Sequence, residues 1–97
     1  MTPILTGAEL DAALATLPGW TVEGGKLRRS YRFPDFPHAI GFMATAAPFI
    51  EKRNHHPEWA NVYSTVTVHL VTHDSGGITR KDVELAALLE SIAKKLL

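Results

Sequence analysis

The chain has 97 residues, enough for one domain spanning 1–97. It is 45% apolar and 21% charged with zero formal net charge, so bulk electrostatics give no reason to expect nucleic acid or an anionic membrane as a partner. It has no cysteine, which excludes disulfides, thiolate catalysis and cysteine-based zinc sites. No apolar run reaches membrane-spanning length. The first residues, MTPILTGAELDAAL, lack a basic segment followed by a long apolar core, so no signal peptide is expected and a cytoplasmic location fits.

Thr6 and Glu9 have the spacing of a capping box and open the first helix. Leu10, Ala13, Leu14 and Leu17 follow at helical spacing, and Pro18-Gly19 stops the element. A short strand is predicted over 20–23. Gly24-Gly25 can take positive φ and should turn it into a hairpin with a return strand over 27–33. There Leu27, Tyr31 and Phe33 share one face, while Arg28, Ser30 and Arg32 share the other. Arg29 breaks the alternation.

Asp35 with Pro37 starts a second helix, whose predicted buried stripe is Ile40, Met43, Ala44, Ala47 and Ile50. Pro48 lies inside it and predicts a kink near Ala44. The helix should end at Arg53 or Asn54, because His56 precedes Pro57 and favours extended geometry. Strands over 59–62 and 66–72 are joined at Tyr63-Ser64. Ser75-Gly76-Gly77 breaks the last strand. Thr79 and Asp82 form a second capping box, and a final helix carries Leu85, Leu88, Leu89, Ile92 and Leu96. The order is αββαββα. Two hairpins and three amphipathic helices predict an α+β sandwich: a four-stranded antiparallel sheet with three helices on one face.

The chemistry concentrates in the histidines, of which there are five. His38 and His69 read as incidental. His55 and His56 lie where the second helix hands over to the third strand, and His73 lies where the fourth strand ends. The hairpin should bring all of them to one rim, with Trp59 near Thr72 and His73. Glu51, one helical turn before His55, is expected to fix the tautomer of that ring. Asp82 could do the same for His73, although its place in the capping box explains it equally well. Two chemistries suit such a rim. A metal site is disfavoured because adjacent His55 and His56 would have to turn to one ion, so no metal is expected. General acid–base catalysis suits imidazoles better. Trp20 and Trp59 could supply a wall for a flat ring, though both are also ordinary core aromatics.

Glu51-x-x-x-His55-His56-Pro57, followed by Tyr63, His73 and Asp82, resembles the signature of the pterin-4a-carbinolamine dehydratases. Gly19-Trp20, Asp35-Phe36, Gly41 to Met43, "HHPEW" at 55–59, "NVY" at 61–63 and Thr72-His73 extend the likeness over most of the chain. Asn54 departs from the family's pattern, which often has an acid there. The resemblance implies the αββαββα fold and the dehydration of a 4a-hydroxytetrahydropterin to the quinonoid dihydropterin, with no cofactor. It implies acid–base roles for His55 and His73, and a substrate-holding role for His56. It places Pro57, Trp59, Thr72, Asp74 and Ser75 around the pterin, with Glu51 and Asp82 in support. It also implies a homodimer or homotetramer. Two other readings stay open: a dimerisation or assembly cofactor with a vestigial site, and a pterin enzyme of molybdenum-cofactor metabolism.

Overall fold

The computed structural model describes residues 1–97. The elements are α1 (Gly7–Ala15), β1 (Thr21–Glu23), β2 (Lys26–Arg32), α2 (Phe36–Arg53), β3 (Glu58–Val62), β4 (Thr65–Leu70) and α3 (Arg80–Ala93). The strands form one antiparallel sheet in the order β1-β2-β4-β3. The two hairpins thus lie side by side, joined through β2 and β4. The register pairs Leu27 with Leu70 and Tyr31 with Val66.

Local sequence explains each boundary. The Thr6–Glu9 capping box closes reciprocally, with Thr6 N donating to Glu9 at 2.8 Å and Glu9 N donating to the Thr6 hydroxyl at 3.2 Å. Asp35 caps α2 by accepting from His38 N at 2.9 Å. Gly24 and Gly25 take φ of 58° and 76°, which lets the first hairpin turn in two residues. The second hairpin turns at Tyr63, whose φ of 52° is unusual for an aromatic residue. The Asn61 side-chain amide holds that turn by donating to the carbonyls of Tyr63 and Thr65 at 2.9 and 3.0 Å.

Leu27, Tyr31 and Phe33 meet Val66, Val68 and Leu70 on the inner sheet face, and α2 and α3 cover them with Phe42, Ile50, Leu85 and Leu89. Such fully buried side chains each stabilise the fold by about 1.5–3 kcal/mol. The outer face is polar, carrying Glu23, Arg28, Ser30, Thr67 and His69. Arg29 belongs to the inner face. Its guanidinium lies 4.8 Å over the Tyr31 ring and reaches the Pro18 carbonyl at 3.5 Å. It fills the space beside Gly19, where a Cβ would fall 1.3 Å from an Arg29 nitrogen.

The buried stripe of α2 is not the expected one. Ala39, Phe42, Ala46 and Ile50 are buried, Met43 is half-buried, and Ile40, Ala44 and Ala47 are exposed. The helix is apolar on two faces, so spacing alone could not fix its rotation. Phe42 decides it by packing between Phe33 and Trp59, at ring distances of 5.2 and 6.2 Å. Pro48 lies exposed within α2, and the helix continues past it to Arg53.

Candidate active site

α2 ends at Asn54, which takes the left-handed conformation at φ 50° and ψ 39°. Asparagine tolerates that geometry better than most residues, and the turn it makes redirects the chain toward β3. Glu58 pairs with His69 and Trp59 with Val68, so the segment before β3 runs beside the end of β4. After β4, Thr72 bridges to Gly77 and closes a tight loop, in which Gly76 takes φ 77°. Thr79 then caps α3.

These three chain ends enclose a cleft of about 220 Å³, lined among others by Asn54, His55, His56, Thr72, His73 and Asp74. The three histidines that the sequence singled out therefore meet at one surface. Their surroundings differ. His55 is largely covered, with 13% of its side chain exposed, whereas His56 and His73 are exposed at the rim.

The partners of the histidines correct the sequence reading. Asp82, not Glu51, holds His55: Nε2 lies 2.7 Å from Oδ1 of the fully buried carboxylate. Glu51 instead faces His56 at 3.2 Å, in a solvent-exposed pair. Asp82 does not serve His73, whose Nε2 lies 3.0 Å from Glu58 Oε2. The cause is local. The left-handed turn at Asn54 takes His55 out of register with the last turn of α2, so the one-turn spacing to Glu51 no longer applies.

Asp82 is satisfied on every side. Oδ2 accepts from the Thr79 backbone N–H at 2.9 Å and from the Thr72 hydroxyl at 2.8 Å. The Thr79 hydroxyl lies 2.7 Å from the Thr72 hydroxyl and accepts from Lys81 N at 3.2 Å. Because Thr72 gives its one proton to Asp82, Thr79 donates to Thr72. A carboxylate only accepts, so in the neutral imidazole the His55 proton sits on Nε2 and Nδ1 carries the lone pair. The capping box and the orientation of His55 are thus functions of the same side chain.

On the outer rim, Lys26 Nζ lies 2.5 Å from Glu58 Oε1. The Lys26 hydrogen bond, and after it the charges of Lys26, His73 and His69, hold the Glu58 carboxyl below the usual carboxylate range.

Of the other expected substrate-side residues, Thr72 and Asp74 line the cleft. Trp59 packs edge-on against Phe42, and its cross-strand neighbour is Val68 and not Thr72. The Ser75 hydroxyl donates to the Thr2 carbonyl, and Pro57 is half-buried between His56 and β3. Sequence reasoning missed Lys81, Val71 and Asn54 as lining residues and Glu58 as the partner of His73. Glu58 stood within the quoted motif, but its face relative to His73 depended on the register. No cluster of three or more His, Asp or Glu side chains has a metal-binding arrangement.

A family model described as "Pterin 4 alpha carbinolamine dehydratase" matches residues 3–92. The chain belongs to this family. A Solibacter usitatus relative, named provisionally as a pterin-4-alpha-carbinolamine dehydratase, is 54% identical over 93 residues, covering 96% of this chain and 98% of its own. A Rhodopseudomonas palustris relative of the same provisional name is 49% identical over 94 residues, covering 95% and 93%. The crystal structure of a transcriptional coactivator/pterin dehydratase from Brucella melitensis superposes with a TM-score of 0.89 at 46% identity, covering 93% of this chain and 98% of that one. A pterin dehydratase-like RuBisCO assembly factor of the α-carboxysome shares the fold at TM-score 0.63 and 17% identity, covering 76% and 86%. The element order αββαββα and the single four-stranded antiparallel sheet are those of the expected α+β fold.

Proposed function

We propose that the protein dehydrates 4a-hydroxytetrahydropterins to quinonoid dihydropterins by histidine general acid–base catalysis. The observation that carries this reading is the buried Asp82 carboxylate at 2.7 Å from His55, opening on a cleft that also holds His56 and His73. In the elimination, the C4a–O bond breaks with its electron pair going to oxygen, and that oxygen takes a proton and leaves as water. The N5–H proton goes to a base, and its bonding electrons become the N5=C4a double bond. His55 suits the base role: Asp82 fixes Nε2–H, leaves Nδ1 to accept, and stabilises the imidazolium that forms. His73 suits the acid role, since it stands at the exposed rim of the cleft with Nε2 held 3.0 Å from Glu58. His56, steadied by Glu51 at the rim, holds the ring. Thr72 and Asp74 line its seat.

The deciding experiment is a stopped-flow or coupled assay of carbinolamine dehydration with purified protein. Acceleration over the uncatalysed rate that survives chelator supports the reading. A rate no greater than buffer alone, with folded protein, rejects it.

The second reading is a non-catalytic dimerisation or assembly cofactor. Its support is the exposed apolar pair at the start of α2, where Phe36 and Ile40, one helical turn apart, are 51% and 41% exposed. The same pair suits a homodimer or homotetramer of a cytoplasmic enzyme, so it serves both readings.

A further inference from the structure

A second cleft, of about 200 Å³, adjoins the histidine cleft and shares His55 and Lys81 with it. It has no apolar side chain: Arg53, Arg80, Lys81, Glu84 and His55 line it. The chain as a whole has zero formal net charge, so this concentration of cations is local. Its one carboxylate, Glu84, lies 3.7 Å from Arg80 in an exposed pair, which binds weakly in water. Neither Arg53 nor Lys81 has a carboxylate within 4.0 Å.

Helix stability does not account for the arrangement. Arg80 and Lys81 occupy the first turn of α3, where the helix dipole favours negative charge and disfavours positive charge. The acid that turn does contain, Asp82, is buried and committed to His55, Thr72 and Thr79. Arg53 comes from the end of α2, so two separate elements aim guanidinium groups at one space. Guanidinium groups are suited to planar, bidentate recognition of phosphate and carboxylate.

We propose that this cleft receives an anionic side chain, carrying phosphate or carboxylate, of the pterin whose ring occupies the histidine cleft. The inference rests on the dehydratase reading for the ring's placement and adds the class of substrate. Arg53 and Arg80 are specificity residues here. Lys81, which lines both clefts, bridges them.

The test compares kcat/KM for three carbinolamines that share a ring and differ in side chain: one uncharged, one ending in a phosphomonoester and one ending in a carboxylate. Wild-type protein and the Arg53→Ala/Arg80→Ala double variant are assayed at low and high salt. A charge-assisted hydrogen bond lost at each arginine corresponds to roughly a tenfold loss or more. Wild-type protein is expected to favour an anionic substrate at least about tenfold, mainly through KM, and the double variant to lose that advantage. High salt should narrow it. An advantage for phosphate alone or for both anions supports the inference and names the group. Equal kcat/KM for all three, or an advantage that the double variant retains, overturns it. Equilibrium binding of the matching unreactive dihydropterins separates the two ideas. Failure of turnover with all three substrates rejects the dehydratase reading, whereas tighter, arginine-dependent binding of the anionic dihydropterins still upholds this one.

Discussion

Asp82 Oδ1 lies 2.7 Å from His55 Nε2, while Oδ2 of the same carboxylate caps α3 through the Thr79 N–H. One buried side chain therefore couples the start of a helix to the orientation of an imidazole. The coupling explains why the acid is at the third position of the helix: from there its two oxygens face the cap and the His55 ring at once.

Asp82→Asn should separate these roles incompletely. The amide keeps the shape but can present an N–H to His55, which favours the tautomer with Nδ1–H and removes the base. Turnover is expected to fall about a hundredfold or more, with a loss of roughly 1–3 kcal/mol of stability from the weakened cap and charge-assisted bonds. Steady-state kinetics and urea denaturation of the same preparation check both. Unchanged turnover in a folded Asp82→Asn protein would mean that the carboxylate serves only the helix.

The histidines should rank by environment. His55→Ala and His73→Ala are each expected to cut turnover roughly a hundred- to ten-thousand-fold with the fold intact. His56→Ala should raise KM as well. Glu51→Gln should have a small effect, because its pair with His56 is exposed on both sides. His38→Ala and His69→Ala should keep activity: His38 pairs with Asp35 at the far end of α2, and His69 lies on the outer sheet face opposite Glu58. Kinetics on the six variants with circular dichroism as the folding check decides the order. If His69→Ala proved as damaging as His55→Ala, the outer sheet face would have to be part of the site.

The element order was legible because local signals agreed with it: two capping boxes, the Gly24-Gly25 turn and the alternation in β2 and β4. The convergence of His55, His56 and His73 was legible as well, since a hairpin and a helix end leave few alternatives. The partners of those rings were not. Glu51 was the sequence neighbour at helical spacing, but the left-handed Asn54 breaks the spacing before His55. Asp82 lies 27 positions away, and only the tertiary approach of α3 to the end of β4 reveals it. The rotation of α2 failed for a related reason, because Phe42 outweighs several small apolar residues that spacing counts equally.

A half-buried acid supplies a test away from the site. Glu90 Oε1 accepts from the Tyr31 hydroxyl at 2.6 Å and from Trp20 Nε1 at 3.0 Å. Burial, and after it the Glu90 hydrogen bond and charge, push the Tyr31 phenol well above its ordinary 10.0. The folded state thus keeps a proton that the unfolded chain releases above about pH 10. By linkage, this contribution is complete below pH 10 and declines as pH rises beyond it. Tyr31→Phe should flatten the alkaline limb of stability between pH 9 and 11 (about one unit either side of the free phenol). Glu90→Ala should cost roughly 1–3 kcal/mol for each polar group left without its partner. Denaturation midpoints across that range measure both. An alkaline limb of the same slope in Tyr31→Phe would assign the effect to other groups.

Pro48 tests how much the last turns of α2 matter to the cleft. A proline inside a helix removes one backbone donor and crowds the preceding turn, at a cost of up to about 3 kcal/mol where the helix does not adapt. Here α2 runs on past Pro48 through Glu51 to the Asn54 cap, so the helix has adapted. Pro48 is also exposed and touches neither cleft. Pro48→Ala restores a donor to the Ala44 carbonyl and is expected to raise stability by about 1 kcal/mol. Turnover should stay near that of the unmodified protein, because His55 is aimed by Asp82 from α3 and not by the helix that contains the proline. Thermal denaturation and steady-state rates on one preparation give both numbers. A stabilised Pro48→Ala protein with turnover reduced tenfold or more (about 1.4 kcal/mol) would show that the proline sets the approach of Asn54 and His55 to the cleft, and that Asp82 alone does not hold the ring in its working position.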